Sequence, residues 1–410
     1  MKWQQTGLTL IVVVAGVIFA IGVGVYSFLK SATIRVHGRA EDVPSAATGR
    51  PPEEWAAAVE HGRSLVRAAV VHQNLPGISI AVGVRGKLVW TEGFGWADIE
   101  KRTPITPGTR FRVGHASKPL TSAAVGLLLE KRALHLNDEI QTYVPAYPKK
   151  AWPVTLHQLM GHMAGLRHYD REEDYMPTAH CERAADGVPR FADDPLRFEP
   201  DTRHSYSTFG WILVSAAVES AAGEPFFAFM RSRVFQPLGM ADTTADAGTA
   251  PMPNRATFYY PRFSGDPTFG PAPAAPVDYS CFAGAGAFLS TPSDMVRFGL
   301  AMVNGTLLQS ATVTRLQTPQ QLASGAETGY GLGWTVETIE VNGEPTRLHG
   351  HSSRTLLGAS AWIMTFPDLD VVVGLTSNIS FADLKLTGLK VAEAFTPRSS
   401  AAREDDKGRN

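Results

Sequence analysis

"FRVGHASKPLTSAAVGLLLEK", residues 111–131, places Pro119 in the first turn of an apolar helix, where its missing N–H leaves no helical hydrogen bond unmade. If the helix starts near here, His115 and Lys118 are three positions apart and share a face. Ser117 lies about 200° around from His115 at about 100° per residue. Ser117 and Lys118 therefore do not make a nucleophile and base pair. Taken alone, Lys118 reads as an ordinary lysine in a first helical turn, and any chemistry has to be sought in what surrounds it.

Working outward, "EEWAAAVEHGRSLVRAAVV" repeats Trp55, Val59, Leu65, Val66, Ala69 and Val70 at helical spacing. Two apolar runs follow, "GISIAVGVR" and "KLVWTEGFGWA", split by "RGK" as in a hairpin. Beyond residue 131 the chain is rich in Gly, Pro and charged loops, interrupted by a helical "YSTFGWILVSAAVESAAG". "LSTPSDMVRFGLAMVNG" has Thr291 as N-cap, Pro292 in the first turn, Asp294 two positions on and Gly305 as its stop. "LGASAWIMTFP" and "DVVVGLTSN", joined by Pro367, Asp368, Leu369 and Asp370, read as a second hairpin, and "FADLKLTGLKVAEAF" as a last amphipathic helix. Hairpins near both ends, terminal helices and a mainly helical insertion between them predict an α+β fold: an antiparallel sheet flanked by the terminal helices, plus a helical subdomain. No internal repeat is present.

A chain of 410 residues with 44% hydrophobic content can bury a large core. Lys+Arg at 38 against Asp+Glu at 39 leaves a net charge of −1 without a basic stretch, which argues against a nucleic-acid partner. Residues 8–29 are uncharged and mostly apolar, long enough to cross the roughly 30 Å hydrocarbon core of a bilayer as one helix; a cleaved signal peptide is the competing reading, and the length of the run, closed by Phe28, Leu29 and Lys30, favours an uncleaved anchor. The expected division is an N-terminal membrane anchor at 1–29, a flexible tether at 30–53, one domain at 54–396 and a disordered tail at 397–410. Charges flanking the span orient it weakly, and the long domain is expected on the periplasmic or extracytoplasmic side. Cys181 and Cys281 permit one disulfide or two separate thiols.

Three local patterns could carry chemistry. Beside His115 and Lys118, "HSYSTFGW" places Tyr206 and Thr208 one residue apart ahead of a helix, so that both could face one cleft. A tyrosine serves as a base only when a cation lowers its pKa of about 10, which a nearby lysine would do. In "RLHGHSSRTLLGASAWIM", His349 and His351 alternate before the first strand of the last hairpin, a spacing that could join His115 in a metal site. The remaining histidines, such as His162, read as satisfied structural groups. No phosphate loop and no G-x-S-x-G is found.

Together, "HASK" (115–118), "YST" (206–208) and "HSS" (351–353) resemble, in order and character, the three motifs of the serine β-lactamase and penicillin-binding-protein family. The resemblance is to its class C-like branch and the mitochondrial serine β-lactamase-like proteins. It runs through "LMGHMAGLRHY", "GAGAFLSTPSDMVRFG" and "YGLGW" and covers about residues 55–395. It implies cofactor-free acyl-enzyme hydrolysis of a small peptide, amide or ester substrate. Lys118 and Tyr206 would relay protons, His351 would supply the third-motif donor, and Thr208, Ser352 and Ser353 would contact substrate. Backbone N–H groups at residue 115 and beside the sheet's edge strand would form the oxyanion hole. Two departures stand out: the nucleophile position is His115, and Ser353 replaces the usual glycine. The expectation is therefore divided between a hydrolase using His115 and a catalytically silent member that binds peptide or cell-wall fragments.

Overall fold

The computed structural model describes residues 2–175, 179–246, 252–263, 265–354 and 358–396. The expected tail at 397–410 lies outside the described residues. Seven strands form the spine of an antiparallel sheet: β1 (Ser45–Ala47), β2 (Gly77–Val84), β3 (Lys87–Asp98), β4 (Thr335–Val341), β5 (Glu344–Arg354), β6 (Ser360–Phe366) and β7 (Val371–Ser377). Their order is β1-β3-β2-β7-β6-β5-β4, and Thr103–Pro104 adds an eighth strand against β3. The first and last parts of the domain thus meet at the centre, where Val82 pairs with Val373 and Ile80 with Leu375. Every residue of β2 and β7 is buried, as continuous apolar runs covered on both faces require.

The chain opens with helix α1 (Lys2–Ala32), and one face of the sheet is covered by α2 (Ala56–His72) and the last helix (Lys385–Ala394). Val59, Val66 and Val70 of the first meet Val391 of the second over Phe94 and Val373. The Trp90 ring stacks on Phe395 at 6.1 Å, and Phe395 stacks on Trp55 at 5.6 Å. A Cβ on Gly62 would lie 2.7 Å from the Trp90 ring, so only glycine lets α2 approach this closely. The opposite face carries the helix Pro292–Asn304, whose Val296 and Leu300 pack on Ala81 and Val372. Thr291 caps it through the Asp294 N–H and Gly305 ends it at φ 65°, as the sequence pattern predicts.

The helical half centres on α3 (Lys118–Glu130) and the helix Thr208–Ala222, which is buried on all sides from Thr208 to Glu219. Cys181 and Cys281 are joined by a disulfide, which settles the open choice between bridge and thiols. A crosslink closing a loop of about 100 residues contributes up to about 4.7 kcal/mol in the chain-entropy model.

Two expectations are corrected. The two-hairpin reading omits a third hairpin of this sheet: β4 and β5 turn on Asn342 and Gly343, both at positive φ (51° and 83°), and the extended segment that carries His349 and His351 ahead of β6 is the strand β5 itself. Residues 33–47, expected in a flexible tether, instead lie against the domain. The Asn74 amide donates to Ile34 O (2.7 Å) and Thr268 O (3.1 Å) and accepts from Val36 N (2.9 Å). His37 donates to Pro76 O at 3.0 Å, Val43 is buried, and β1 pairs with β3. Backbone hydrogen bonds hold this segment, so it carries no apolar periodicity.

Asn74→Ala removes all three amide bonds. It should cost about 1–3 kcal/mol and expose residues 33–43 to protease, read by limited proteolysis with mass spectrometry. An unchanged cleavage rate would contradict this account of the segment.

Candidate active site

The strand Phe111–Arg112 pairs with Phe288–Ser290, and Val113 N donates to Phe288 O at 3.1 Å. This fixes the following 3-10 turn, Gly114–Ser117, which runs directly into α3. His115 and Lys118 consequently face the helix start at Thr208. The buried His115 places Nε2 3.0 Å from Thr208 Oγ1. Lys118, fully buried, donates from Nζ to Tyr206 OH at 2.7 Å and to Ala285 O at 3.4 Å.

The third wall is β5. Its residues alternate, so His351 and Ser353 face the helical half beside Ile363 and Ala361, while Ser352 faces the terminal helices beside Trp362. The expected Ser352 side-chain contact with substrate is thereby corrected. What Ser352 contributes is its carbonyl, which accepts from His351 Nδ1 at 2.8 Å. A carbonyl can only accept, so Nδ1 carries the proton and Nε2 the lone pair. That lone pair takes the Tyr330 O–H at 3.0 Å, with Tyr206 OH at 3.5 Å. The Ser353 hydroxyl is buried and makes no hydrogen bond. β4 begins at Thr335 opposite Gly350, so β5 beyond that point has an open edge toward the cleft.

The structure brings together His115, Lys118, Tyr206, Thr208 and His351. It adds Tyr330, His162 and His168, which the residue-level reading missed. His162, read as a satisfied structural group, packs its ring tilted against Tyr206 at 4.2 Å and Tyr330 at 4.8 Å. Its Nδ1 accepts from Ser207 N (3.1 Å), leaving a buried Nε2–H without a partner. His168 accepts from Thr208 N at 3.3 Å and stacks on Tyr169 at 4.3 Å. The signal lay in "GHMAGLRHY" and "YGLGW", whose polar side chains converge only once the loops close.

Burial governs the protonation of this cluster. It drives the Lys118 amine well below its ordinary range and Tyr206 well above its own, both shifts favouring the uncharged amine and phenol. This reverses the expectation that a lysine cation would lower the tyrosine. Burial, then competition from neighbouring basic groups, lowers His115 and His162 strongly, His168 to about 4 and His351 to about 3. Among the described residues no group of three or more His, Cys, Asp or Glu side chains is placed to hold a metal. His349, considered for such a site, instead meets Gln317 Oε1 at 2.8 Å.

A lysine and a tyrosine in contact at paired helix starts, facing the edge of an antiparallel sheet, define a cleft of the β-lactamase and transpeptidase-like kind. The chain belongs to the β-lactamase family, whose model matches residues 63–394. Human "Serine beta-lactamase-like protein LACTB, mitochondrial" is 27% identical over 443 residues, covering 83% of this chain and 80% of that protein. Penicillin-binding protein 4* of Bacillus subtilis (strain 168) is 26% identical over 284 residues, 65% of this chain and 60% of that one. The D-amino acid amidase from Ochrobactrum anthropi SV3, solved with L-phenylalanine amide, shares the fold at TM-score 0.68 and 23% identity, covering 86% of this chain and 99% of that chain.

The buried imidazoles make stability depend on acid. Their folded pKa values lie below the unfolded value of about 6.5, so the native state binds fewer protons and stability falls as pH drops below that value. Each such histidine contributes a slope of about 1.4 kcal/mol per pH unit. Urea unfolding between pH 7 and 4.5 should show this loss, with a shallower slope in His351→Gln. Stability that stays flat over this interval would contradict the neutral assignment.

Proposed function

We propose that this protein is a membrane-anchored acyl hydrolase in which an imidazole, rather than a hydroxyl, stands where the family's nucleophile would be. The observation that carries this reading is the Lys118–Tyr206 contact at 2.7 Å, with Lys118 fully buried, beside His115 in the same cleft. An amine and a phenol in contact can pass a proton to a leaving group without either holding a charge at rest. With no hydroxyl at residue 115, the family's acyl-enzyme has no site there. His115 instead acts as base: it takes a proton from water as the water oxygen attacks the carbonyl, and the oxyanion forms beside backbone N–H groups. Donors available for this are those of the opening helical turn at residue 115 and of the open edge of β5. Tyr206, backed by Lys118, then protonates the departing amine or alkoxide, giving the free acid and HX.

Val14–Ala32 supports anchoring: the segment is apolar and none of its hydrophobic window is buried in the protein. The Cys181–Cys281 bridge supports placing the domain in an oxidising, extracytoplasmic compartment. The silent reading, in which the cleft only binds peptide or cell-wall fragments, is supported by the His115–Thr208 hydrogen bond, which takes up one ring nitrogen.

Steady-state hydrolysis of 4-nitrophenyl esters and D-amino-acid anilides decides between them. The parent should turn over at least one probe. Lys118→Ala should lose about 10²–10⁴-fold in kcat/KM, and His115→Ser should add a burst from an acyl-enzyme. No turnover by the parent together with turnover by His115→Ser would establish the silent reading instead.

A further inference from the structure

Among the described residues, the basic side chains nearest His351 are turned to partners of the protein's own. Lys118 is turned to Tyr206 and Ala285 O. Arg167 is buried between Asp174 (2.6 Å) and Asp194 (2.5 Å). Arg354 donates to Phe381 O on the far side of β5. His351, on the wall facing His115 and Lys118, gives its N–H to Ser352 O and receives the Tyr330 O–H on its other nitrogen. Both ring nitrogens are thus taken up in the tautomer that leaves Nε2 an acceptor. The unpaired buried polar atoms beside His351 and Tyr206 are uncharged: the Ser353 hydroxyl, on the same face of β5 as His351, and the Nε2–H of His162, packed against Tyr206; the unpaired Arg190 Nη1 lies farther off, with its guanidinium over the Phe282 ring. Both residues are 2% exposed.

We infer that the cleft takes uncharged acyl compounds, esters and amides with no free carboxylate close to the reacting carbonyl, because His351 is fixed as a hydrogen-bond acceptor and the unpaired polar atoms around it are neutral donors. A carboxylate entering here would lose its water and meet no counter-charge, whereas a neutral carbonyl can accept from a hydroxyl or an imidazole N–H. Burial acts in the same direction, since it disfavours the charged forms of His351 and Lys118.

This inference rests on the hydrolase reading for its kinetic test but not for its binding test. With the full chain in detergent or vesicles, 4-nitrophenyl butyrate and mono-4-nitrophenyl glutarate differ essentially by a carboxylate at the distal end of a short acyl chain. The neutral ester should be favoured by on the order of 100-fold in kcat/KM. In parallel, N-acetyl-D-alaninamide should protect the protein from thermal unfolding at concentrations where N-acetyl-D-alanine does not. His351→Lys should shift both preferences toward the carboxylate by at least about tenfold. Equal handling of the two esters, or preference for the carboxylate, would overturn the inference. If neither ester is turned over, the hydrolase reading fails and binding decides alone. Selective protection by the amide then sustains the inference, while equal protection by both ligands, or by neither, overturns it.

Discussion

The antiparallel pairing of β2 with β7 is the contact on which the rest of the architecture hangs. It joins strands from opposite ends of the domain, with Ile80, Val82, Val373 and Leu375 fully buried beneath the terminal helices. Because strand side chains alternate, a slip of one residue would turn this set toward the opposite face, so burial specifies the register. β6 and β5 are paired outward from β7, and their register places His351 on the face of the helical half. A single apolar seam thereby sets where the third wall of the cleft lies relative to Lys118.

That cleft buries Lys118, His115, His162 and His351. Burying a lysine amine disfavours its charged form, and the burial of its phenol partner, which keeps some exposure, disfavours the phenolate. Imidazoles packed around the pair follow the same rule, because each added proton would oppose the next in a medium that screens poorly. On the proposed hydrolase reading, such a site would move protons between neutral groups and create charge only as the reaction proceeds, which is where backbone dipoles are most effective. The histidine at residue 115 fits these surroundings as a neutral ring hydrogen-bonded to Thr208.

Hairpins 77–98 and 360–377 were legible because central strands are continuous apolar runs bounded by turn residues. The third was not, although Asn342–Gly343 is a strong turn signal: β4 is an edge strand with Thr338 and Glu340 exposed, so its apolar pattern is faint. Residues 33–47 looked like a tether because what holds them is backbone bonding to Asn74 and strand pairing to β3, neither of which leaves a periodic trace.

By itself, the sequence determined the α+β plan, the apolar N-terminal helix, the capped helix at Pro292 and the order of the three motifs around Lys118, Tyr206 and His351. These follow from local pattern and from residue identity. Tertiary structure alone decided that Cys181 meets Cys281, that Ser352 turns away while Ser353 turns in, and that His162 and Tyr330 join the site. It also decided the protonation of Lys118, Tyr206 and His351. Charge state and tautomer depend on desolvation and on hydrogen-bond partners distant in the chain, and neither exists until the fold has closed around them.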